Sequence, residues 1–484
     1  MISNIRNGLE ALDYLVNRPC GLAAHHTGYH RWRRTQGLTP LRRAWWWQTR
    51  LESYTCIRRY AFLLDWAVGE DRPETRDLRP ETQEELAEAK VSSLTSQVSS
   101  PTSHVSVARV IILRMGHLGD ILHLMPTVRE IKRQRPDWTL ELVTGPWSKA
   151  LAESFGLFDK VHAYCPDVVQ YHRGDRCGVR SVAKEKSFIR DLRGPGLDVV
   201  FSPSAPHFCE LPLVVGLQAP VYIGEPWPLA ELSRPREYIT KAFDSRHYEM
   251  DAVADFLPLM GLERPAVRLE YPLDNAAGAK AKAWLDRHVE GNRLVLIFPG
   301  SGWPGKNWPP ALFARLADAL VRGHAVTVGL AGSSGEHGLC ETVRAQMVHP
   351  AHNLAGQFTL AGSAALIQQS ACVIGNDSAP MHLAAALDVP TVSLWGPTFP
   401  EKWAPPGAGH AAIKAAEPCA GCLYWHVTAV CNGRPPCMST VKVEAVVSAV
   451  GCILQKNVPQ SGEYCSHPKG KVPGPVRPPV RGNI

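Results

Sequence analysis

The sequence has no long uninterrupted apolar run, and its first 21 residues lack a basic segment followed by an apolar one. We therefore expect neither a signal peptide nor a membrane-spanning helix. Charged residues make up only 20% of the 484 positions and hydrophobic residues 45%, which excludes a disordered chain or a coiled coil. The length suits two globular domains with additional segments.

A strong excess of one charge sign is also absent. Lys and Arg number 52 against 45 Asp and Glu, and much of the resulting +7 lies in the two terminal segments. This balance argues against a nucleic-acid partner and is compatible with an anionic small ligand or an anionic membrane surface. The 13 cysteines are an odd number spread over a long chain, which favours a reducing compartment, here the cytoplasm.

The terminal segments differ in composition from the rest of the chain. Residues 1–78 are basic and aromatic, with RRAWWWQTR at 42–50, and predict a helical extension. Such a face suits a membrane interface, where Trp and Arg are favoured, but it could equally pack against the main body. Residues 79–106 predict a Ser/Thr-rich linker and residues 456–484 a flexible tail.

Between these segments, short apolar runs alternate with helix-like stretches. The run RVIILR ends in a Gly-containing turn, and a helix-like stretch interrupted at Pro126 follows it. The same scheme begins again at Arg293, so we predict two Rossmann-like domains, residues 107–285 and 286–455, facing one another across a cleft. Ligands should bind in that cleft, at the carboxyl ends of the strands.

The turn RMGHLGD places Asp120 at a helix start beside the cleft, after Gly116 and Gly119. Its carboxylate either caps the helix or acts as a general base. His117 and His123 are rival bases, and we rank them below Asp120. The turn lacks the G-x-G-x-x-G spacing of a dinucleotide-binding fingerprint.

Three further strand-to-helix turns carry candidate binding residues. The loop FPGSGWPGKNWPP offers Ser301, Gly302 and Lys306 as a diphosphate cradle, although it is not a Walker loop. LAGSSGEHGL places Glu336 early in a helix, where it either contacts a ribose or favours the helix dipole. In GNDSAPMH, helix capping accounts for the acid and the hydroxyl but not for the histidine, so the stretch predicts a site for a phosphate-bearing ligand. Its residues are Asp377, Ser378, Ala379 and His382.

Four late cysteines lie close together in CAGCLYWHVTAVCNGRPPC. Cys419, Cys422, Cys431 and Cys437 could supply four thiolates to a structural zinc ion or an iron–sulfur cluster. The final pair is not a C-x-x-C, however. We predict no metal site and expect these cysteines to be reduced and buried. A structural metal ion is the alternative.

The motifs RMGHLGD, PGSGWPGKNWP and above all GNDSAPMHLAAALDVPTVSLWGPTFPEKW resemble glycosyltransferase family 9, the ADP-heptose:lipopolysaccharide heptosyltransferases. The resemblance covers roughly residues 107–450. It implies a GT-B fold, an acceptor domain followed by a nucleotide-sugar domain, and an inverting transfer that needs no metal or other cofactor. It further implies an ADP-heptose donor and a lipid-linked or glycan acceptor, encountered at the inner face of the inner membrane.

Family roles carry over to matching positions of this sequence. Asp120, after Gly119, matches the general base. Donor contacts are predicted at Gly119, Ser301, Gly302, Lys306, Glu336, Asp377, Ser378, Ala379 and His382. Lys306 is also predicted to be catalytic, by stabilising the charge that develops on the departing diphosphate. Ser378-Ala379 stands where family members often have Thr-Gly, which bears on the identity of the donor. The alternatives to a transferase are a nucleotide-sugar epimerase of the GT-B type and a non-catalytic nucleotide- or glycan-binding protein.

Overall fold

The computed structural model describes residues 108–164, 182–203, 211–225, 235–241, 247–289, 291–417, 420–421 and 437–455. The predicted extension, linker and tail lie outside these residues, as do Cys419, Cys422 and Cys431. No helix in the described residues is long and apolar enough to cross a membrane.

The first half of the described chain is built on a six-stranded parallel sheet. Its strands are β1 (Arg109–Arg114), β2 (Thr139–Thr144), β3 (Lys160–Ala163), β4 (Leu197–Ser202), β5 (Val221–Gly224) and β6 (Glu237–Thr240). They are arranged in the order β3-β2-β1-β4-β5-β6. The helices of this half are α1 (Leu118–Gln134), α2 (Pro146–Ser154), α3 (Val182–Arg193), α4 (Leu211–Leu217) and α5 (Glu249–Ala254).

The second half repeats this architecture. Its strands are β7 (Arg293–Phe298), β8 (Val326–Leu330), β9 (His352–Asn353), β10 (Cys372–Asn376), β11 (Thr391–Trp395) and β12 (His410–Lys414). They form a parallel sheet in the order β12-β11-β10-β7-β8-β9. The helices are α6 (Asn275–His288), α7 (Pro310–His324), α8 (His337–Arg344), α9 (Leu360–Gln368), α10 (Ala379–Ala386), α11 (Pro400–Trp403) and α12 (Val443–Leu454).

The apolar runs form the central strands because helices cover both faces of each sheet. In β1 and β7, every residue after the first is buried, as expected for strands of a parallel sheet. Both sheets also share one strand order, in which β1 lies between β2 and β4, and β7 lies between β8 and β10. At such a point of reversal the loops that leave the carboxyl ends of the strands diverge and open a crevice.

The two halves meet through α1 and α10, which pack against one another. Gly119 in α1 lies so close to the second half that a Cβ there would sit 2.9 Å from His382 Cδ2. The prediction of two Rossmann-like halves facing one another is therefore confirmed, and it is the glycine that lets them approach.

Two features of the helices differ from the prediction. The interruption at Pro126 was wrong, because α1 continues through this buried proline to Gln134. Packing of α1 against α2, α5 and α10 stabilises the helix despite the missing backbone donor. Helix α6 was not predicted, and it packs against α9 of the second half. The domain boundary between residues 285 and 286, which falls inside α6, stays a prediction.

Candidate functional site

Asp120 lies in the first turn of α1, directly after β1. Its Oδ2 accepts a hydrogen bond from the His117 backbone N–H at 2.6 Å, and its Oδ1 lies 3.3 Å from Arg114 Nη2. A Cβ on Gly116 would overlap the Asp120 carboxylate, so a larger residue at position 116 would displace that carboxylate. One side chain thus caps the helix and, being 19% exposed, still presents a carboxylate at the carboxyl edge of the sheet.

Asp120 shares its neighbouring cation with a second, buried carboxylate. Arg114 Nη2 lies 2.5 Å from Glu249 Oε1 at the start of α5, and both side chains are almost inaccessible to solvent. From the second half, Lys402 Nζ lies 3.4 Å from Glu249 Oε2. The sequence does not single out these three residues as site residues. An arginine that ends an apolar strand is a usable signal, whereas Glu249 and Lys402 have none.

In the second half, Asn376 joins the loops that follow β7 and β10. Its side chain is fully buried, its Nδ2 donates to the Pro299 carbonyl at 2.8 Å, and its Oδ1 accepts from the Trp308 backbone N–H at 2.9 Å. The two loops are therefore fixed relative to one another at the strand-order reversal. The sequence indicates Asn376 only as part of a turn.

Lys306 and Asp377 project from these two joined loops and form an ion pair. Lys306 Nζ lies 3.0 Å from Asp377 Oδ2, and the two side chains are 15% and 9% exposed. A cation held at this edge of the sheet is suited to a diphosphate. The structure thus brings together two of the predicted donor-binding residues.

Ser301 and Gly302 occupy different positions in the loop after β7. The Ser301 hydroxyl lies 2.6 Å from both the Trp303 carbonyl and Asn307 Oδ1, so it stabilises the loop itself. Gly302 faces the other half, where a Cβ would come within 3.7 Å of His117 Cε1. The loops that follow β1 and β7 therefore oppose one another across the cleft.

Glu336 stabilises the start of its own helix and also reaches the loop after β7. Its Oε2 accepts hydrogen bonds from the Ser333 backbone N–H and hydroxyl, both at 2.7 Å. Its Oε1 occupies the space that a side chain at Gly300 would need. The sequence left open a ribose contact or an interaction with the helix dipole; the structure adds a capping role for Oε2, and Oε1 lies beside the predicted diphosphate loop.

The turn before α10 places Ser378, Ala379 and His382 at one helix start. The Ser378 hydroxyl donates to the Asn376 carbonyl at 3.1 Å and does not cap the helix. His382 is buried, and its Nδ1 has no hydrogen-bond partner among the described residues. Burial lowers the pKa of His382 to about 4, although Asp377 and Asp120 oppose this shift. The imidazole is therefore neutral at neutral pH.

The two rival bases have contrasting environments. His123 is completely buried, and its ring packs edge-to-face on His382 with 4.5 Å between ring centroids. It also contacts Tyr248 and Trp403. Burial holds the pKa of His123 well below its usual range. His123 is thus a packing residue between the halves, while His117 is exposed beside the cleft.

The cysteines described by the structure show no metal-binding arrangement. Within the described ranges no group of three or more His, Cys, Asp or Glu side chains could hold a metal ion. Of the four late cysteines only Cys437 lies in these ranges, where it is half-buried. The prediction for the set therefore stays open. Elsewhere, burial raises the pKa of the Cys340 and Cys372 thiols to about 12.

Comparison with known proteins relates this geometry to a family. The sequence model described as Glycosyltransferase family 9 (heptosyltransferase) matches residues 214–427. Lipopolysaccharide heptosyltransferase 1 of Pseudomonas aeruginosa is 27% identical over 327 residues, which cover 65% of this chain and 86% of the relative. Lipopolysaccharide heptosyltransferase 2 of Salmonella typhimurium is 24% identical over 317 residues, covering 60% and 84%.

Solved structures share the fold. A family 9 glycosyltransferase from Veillonella parvula superposes with a TM-score of 0.58 at 21% identity, covering 72% of this chain and 97% of that one. The Escherichia coli ADP-heptose lipopolysaccharide heptosyltransferase II gives 0.54 at 16% identity, covering 72% and 99%. This likeness shows the GT-B fold. Independently of the fold, the family model and the curated relatives support assignment of the chain to glycosyltransferase family 9 and indicate that it is a glycosyltransferase.

Proposed function

We propose that the protein transfers a heptose, with inversion and without a metal ion, from ADP-heptose to a hydroxyl of a lipopolysaccharide core or a related glycan. The observation that carries this proposal is that Asp120 and the ion pair of Lys306 with Asp377 all lie around His382. The carboxylate belongs to the first half and the ion pair to the second, and both charges of that pair act on His382, as does Asp120. The relatives named heptosyltransferases support the choice of sugar.

In the proposed reaction, Asp120 takes the proton from the acceptor hydroxyl. The acceptor oxygen then forms a bond to the anomeric carbon on the face opposite the diphosphate. The bond from that carbon to the diphosphate oxygen breaks, and its electron pair leaves with ADP, so the configuration inverts. Lys306 and the backbone N–H groups at the start of α10 stabilise the developing negative charge.

Neutral His382 fits this scheme as a donor contact. A buried neutral imidazole can offer a hydrogen bond to a sugar hydroxyl without adding charge beside Lys306. Ser378 and Ala379 line the same helix start, and Glu336 is proposed to reach the adenosine ribose. Gly119, Ser301 and Gly302 shape the walls of the cleft.

Calorimetry with ADP, UDP and GDP tests the donor assignment. Wild type is expected to prefer ADP, and Lys306→Ala is expected to weaken ADP binding by about tenfold or more, the loss of one charge-assisted contact. Lys282→Ala is the control, because Lys282 pairs with Asp286 on the exposed face of α6. Preference for UDP or GDP would contradict the heptose assignment, and absence of nucleotide binding would favour a non-catalytic protein.

Transfer assays test the role of the base. Asp120→Asn should retain ADP binding and lose transfer by about a hundredfold to ten-thousandfold, the usual contribution of general acid–base catalysis. The probe is ADP-heptose with a lipopolysaccharide whose core lacks heptose. Conversion of the donor sugar to an epimer in the absence of acceptor would instead identify an epimerase.

We also propose that the basic, aromatic extension at residues 1–78 contacts the inner face of the inner membrane, where a lipid-linked acceptor would be met. The proposal depends on composition, since Trp and Arg are favoured at such an interface. Sedimentation with anionic liposomes should carry down the full chain and not a chain that lacks residues 1–104. Equal sedimentation of both chains would contradict it.

A further inference from the structure

Arg114 lies between two carboxylates at the carboxyl end of β1. Its Nη2 is 2.5 Å from Glu249 and 3.3 Å from Asp120, so the closer contact is with the residue that the proposed reaction does not use. Glu249 is buried at 2% exposure, and its Oε2 has no hydrogen-bond partner among the described residues, with Lys402 Nζ 3.4 Å away. A buried carboxylate in this state is costly unless cations balance it.

We propose that Glu249 is a positioning residue, which draws the Arg114 guanidinium away from Asp120 so that Asp120 can accept a proton from the sugar acceptor. Lys402 of the second half adjusts the strength of this interaction. The inference rests on the proposed role of Asp120 as the base, and it concerns residues to which the resemblance gives no role.

The charges around Asp120 fix the direction of the effect. Arg114 from β1 and Lys402 from α11 are cationic, and Glu249 from α5 is anionic. Buried His382 from α10 and buried His123 from α1 are neutral near pH 7, because burial lowers the pKa of each imidazole. Lys306 and Asp377 of the second half, which pair with one another, also act on His382. Glu249 contacts both Arg114 and Lys402 and offsets their charge at close range. Without it, Arg114 would turn fully toward Asp120 and make it a weaker base.

The same arrangement makes the strength of the base depend on the contact between the halves. Glu249 and Arg114 belong to the first half, whereas Lys402 approaches from the second, beside Trp403. If Lys402 is removed, Glu249 loses a competing cation and binds Arg114 more strongly. The interaction of Asp120 with Arg114 then weakens, and the positive charge of Lys402 is gone. Both changes make Asp120 a stronger base.

The two substitutions should therefore shift the pH profile in opposite directions. We would measure kcat/KM for the acceptor at saturating ADP-heptose, across pH, with full-length protein. In Glu249→Gln the acidic limb should move down by about one pH unit and the plateau should fall a few-fold, because a less basic carboxylate transfers protons less efficiently. In Lys402→Met the acidic limb of the pH profile should move to a pH about half a unit higher.

Glu141→Gln is the matched control. Glu141 is also a buried carboxylate in the first half, where it binds Arg109 at 2.7 Å and His162 at 2.5 Å, at the opposite end of β1 from Asp120. Its replacement removes the same charge and should leave the acidic limb unmoved. Glu249→Asp keeps the charge and should return the limb toward the wild-type position even if activity stays low.

The outcomes separate this inference from the proposed function. Opposite shifts in Glu249→Gln and Lys402→Met, with none in Glu141→Gln, would support it. If Asp120→Asn is inactive but both variants keep the wild-type limb, the positioning role is wrong and the base assignment stands. If Asp120→Asn remains active, the proposed base itself is wrong. Lys402 is partly exposed, so its variant provides a decisive result even if Glu249→Gln fails to fold.

Discussion

Lys306 and Asp377 form an ion pair with 3.0 Å between Nζ and Oδ2, although they come from loops that follow different strands. A diphosphate that binds Lys306 must compete with this carboxylate. We therefore expect Asp377→Asn to bind ADP about threefold to tenfold more tightly, because the competing negative charge is lost. Calorimetry at low and high salt measures the gain, which should shrink as salt screens the charges.

Asp377→Asn should change the affinity for ADP-heptose differently from the affinity for ADP. If Asp377 also contacts the sugar, ADP-heptose should gain less affinity than ADP, and transfer should fall. The double variant with Lys306→Ala should show no gain for ADP, because the cation that the carboxylate competes for is absent. Weaker ADP binding by Asp377→Asn would contradict the competition and indicate that the carboxylate holds Lys306 in its binding position.

Gly119→Ala tests the close approach of the two halves. The new Cβ would lie 2.9 Å from His382 Cδ2, and the His382 ring is itself packed against His123. Either the His382 ring or the two halves must then shift, and misplacing catalytic groups by about 1 Å can cost about a hundredfold in rate. We expect a fall in transfer of about tenfold or more, measured at saturating substrates.

The control for this substitution is Gly278→Ala in α6, where a Cβ meets nothing within 4 Å. Replacing a glycine inside a helix by alanine stabilises it by about 1 kcal/mol, and transfer should be unchanged. Combining Gly119→Ala with His382→Ala relieves the steric conflict, so the double variant should lose less than the product of the single losses. If the loss of transfer in the double variant equals the product of the two single losses, the contact between position 119 and His382 does not set the spacing of the two halves.

Stability should depend on pH through His382. Its folded pKa of about 4 lies below the ordinary value of 6.5, so between these values the unfolded chain binds a proton that the folded chain excludes. The free energy of unfolding therefore falls as pH drops through this window, by up to about 3 kcal/mol from this group. Urea unfolding at pH 7 and pH 4 should show a smaller drop in His382→Gln than in wild type.

His410 provides the comparison away from the cleft. Burial in β12 lowers its pKa to about 4 as well, so His410→Gln should reduce the pH dependence of stability similarly. Only His382→Gln should also reduce transfer, since only His382 lies beside Asp377. An unchanged pH dependence in His382→Gln would show that folding does not lower the pKa of this imidazole.

Much of this fold could be predicted because burial dictates both composition and order. Strands such as β1 and β7 are covered on both sides and so read as continuous apolar runs. The turns after them must place polar groups at the open edge of the sheet, and Asp120 and Lys306 were found there. The error at Pro126 has a tertiary cause, because neighbouring helices stabilise α1 through the proline.

Contacts between distant segments could not be predicted in this way. Glu249 is 135 residues from Arg114 in sequence, and nothing local distinguishes it from a surface glutamate. Lys402 becomes its neighbour only when the two halves meet. Asn376 could have been predicted as a hydrogen-bonding residue, because a side-chain amide at the end of a buried strand needs partners. Those partners are backbone groups of other loops, and no sequence pattern indicates where these loops lie.

Asn376→Ala should destabilise the second half. It removes the hydrogen bonds to the Pro299 carbonyl and the Trp308 N–H and leaves both backbone groups buried. We expect a loss of about 2 to 4 kcal/mol in the free energy of unfolding, measured with urea. Asn353→Ala should cost less, because that amide donates to the His337 carbonyl in a more exposed contact. ADP affinity should fall in Asn376→Ala alone, since the loops that hold Lys306 and Asp377 lose their mutual support.

Gly300→Ala tests whether Glu336 contacts the nucleotide or only caps its helix. The new methyl group would take the place of Glu336 Oε1 and displace the carboxylate, whereas Gly338→Ala meets open space and serves as the control. Gly300→Ala and Glu336→Ala should each weaken ADP binding, and the double variant should be no weaker than Glu336→Ala, because both changes remove the same contact.

The ribose hydroxyl can be removed from the ligand instead of the protein. If Glu336 accepts a hydrogen bond from the 2′-hydroxyl, wild type should bind 2′-deoxy-ADP about tenfold more weakly than ADP, and Glu336→Ala should bind the two alike. A purely capping role predicts a different pattern. Ser333→Ala, which breaks one of the two contacts of Glu336 Oε2, would then lose part of the stability that Glu336→Ala loses, and discrimination between the two nucleotides would survive in every variant. The capping contacts use Oε2, whereas Oε1 faces the diphosphate loop and is the oxygen available to a ribose. If Glu336→Ala still distinguishes ADP from 2′-deoxy-ADP, another residue must contact the ribose hydroxyl.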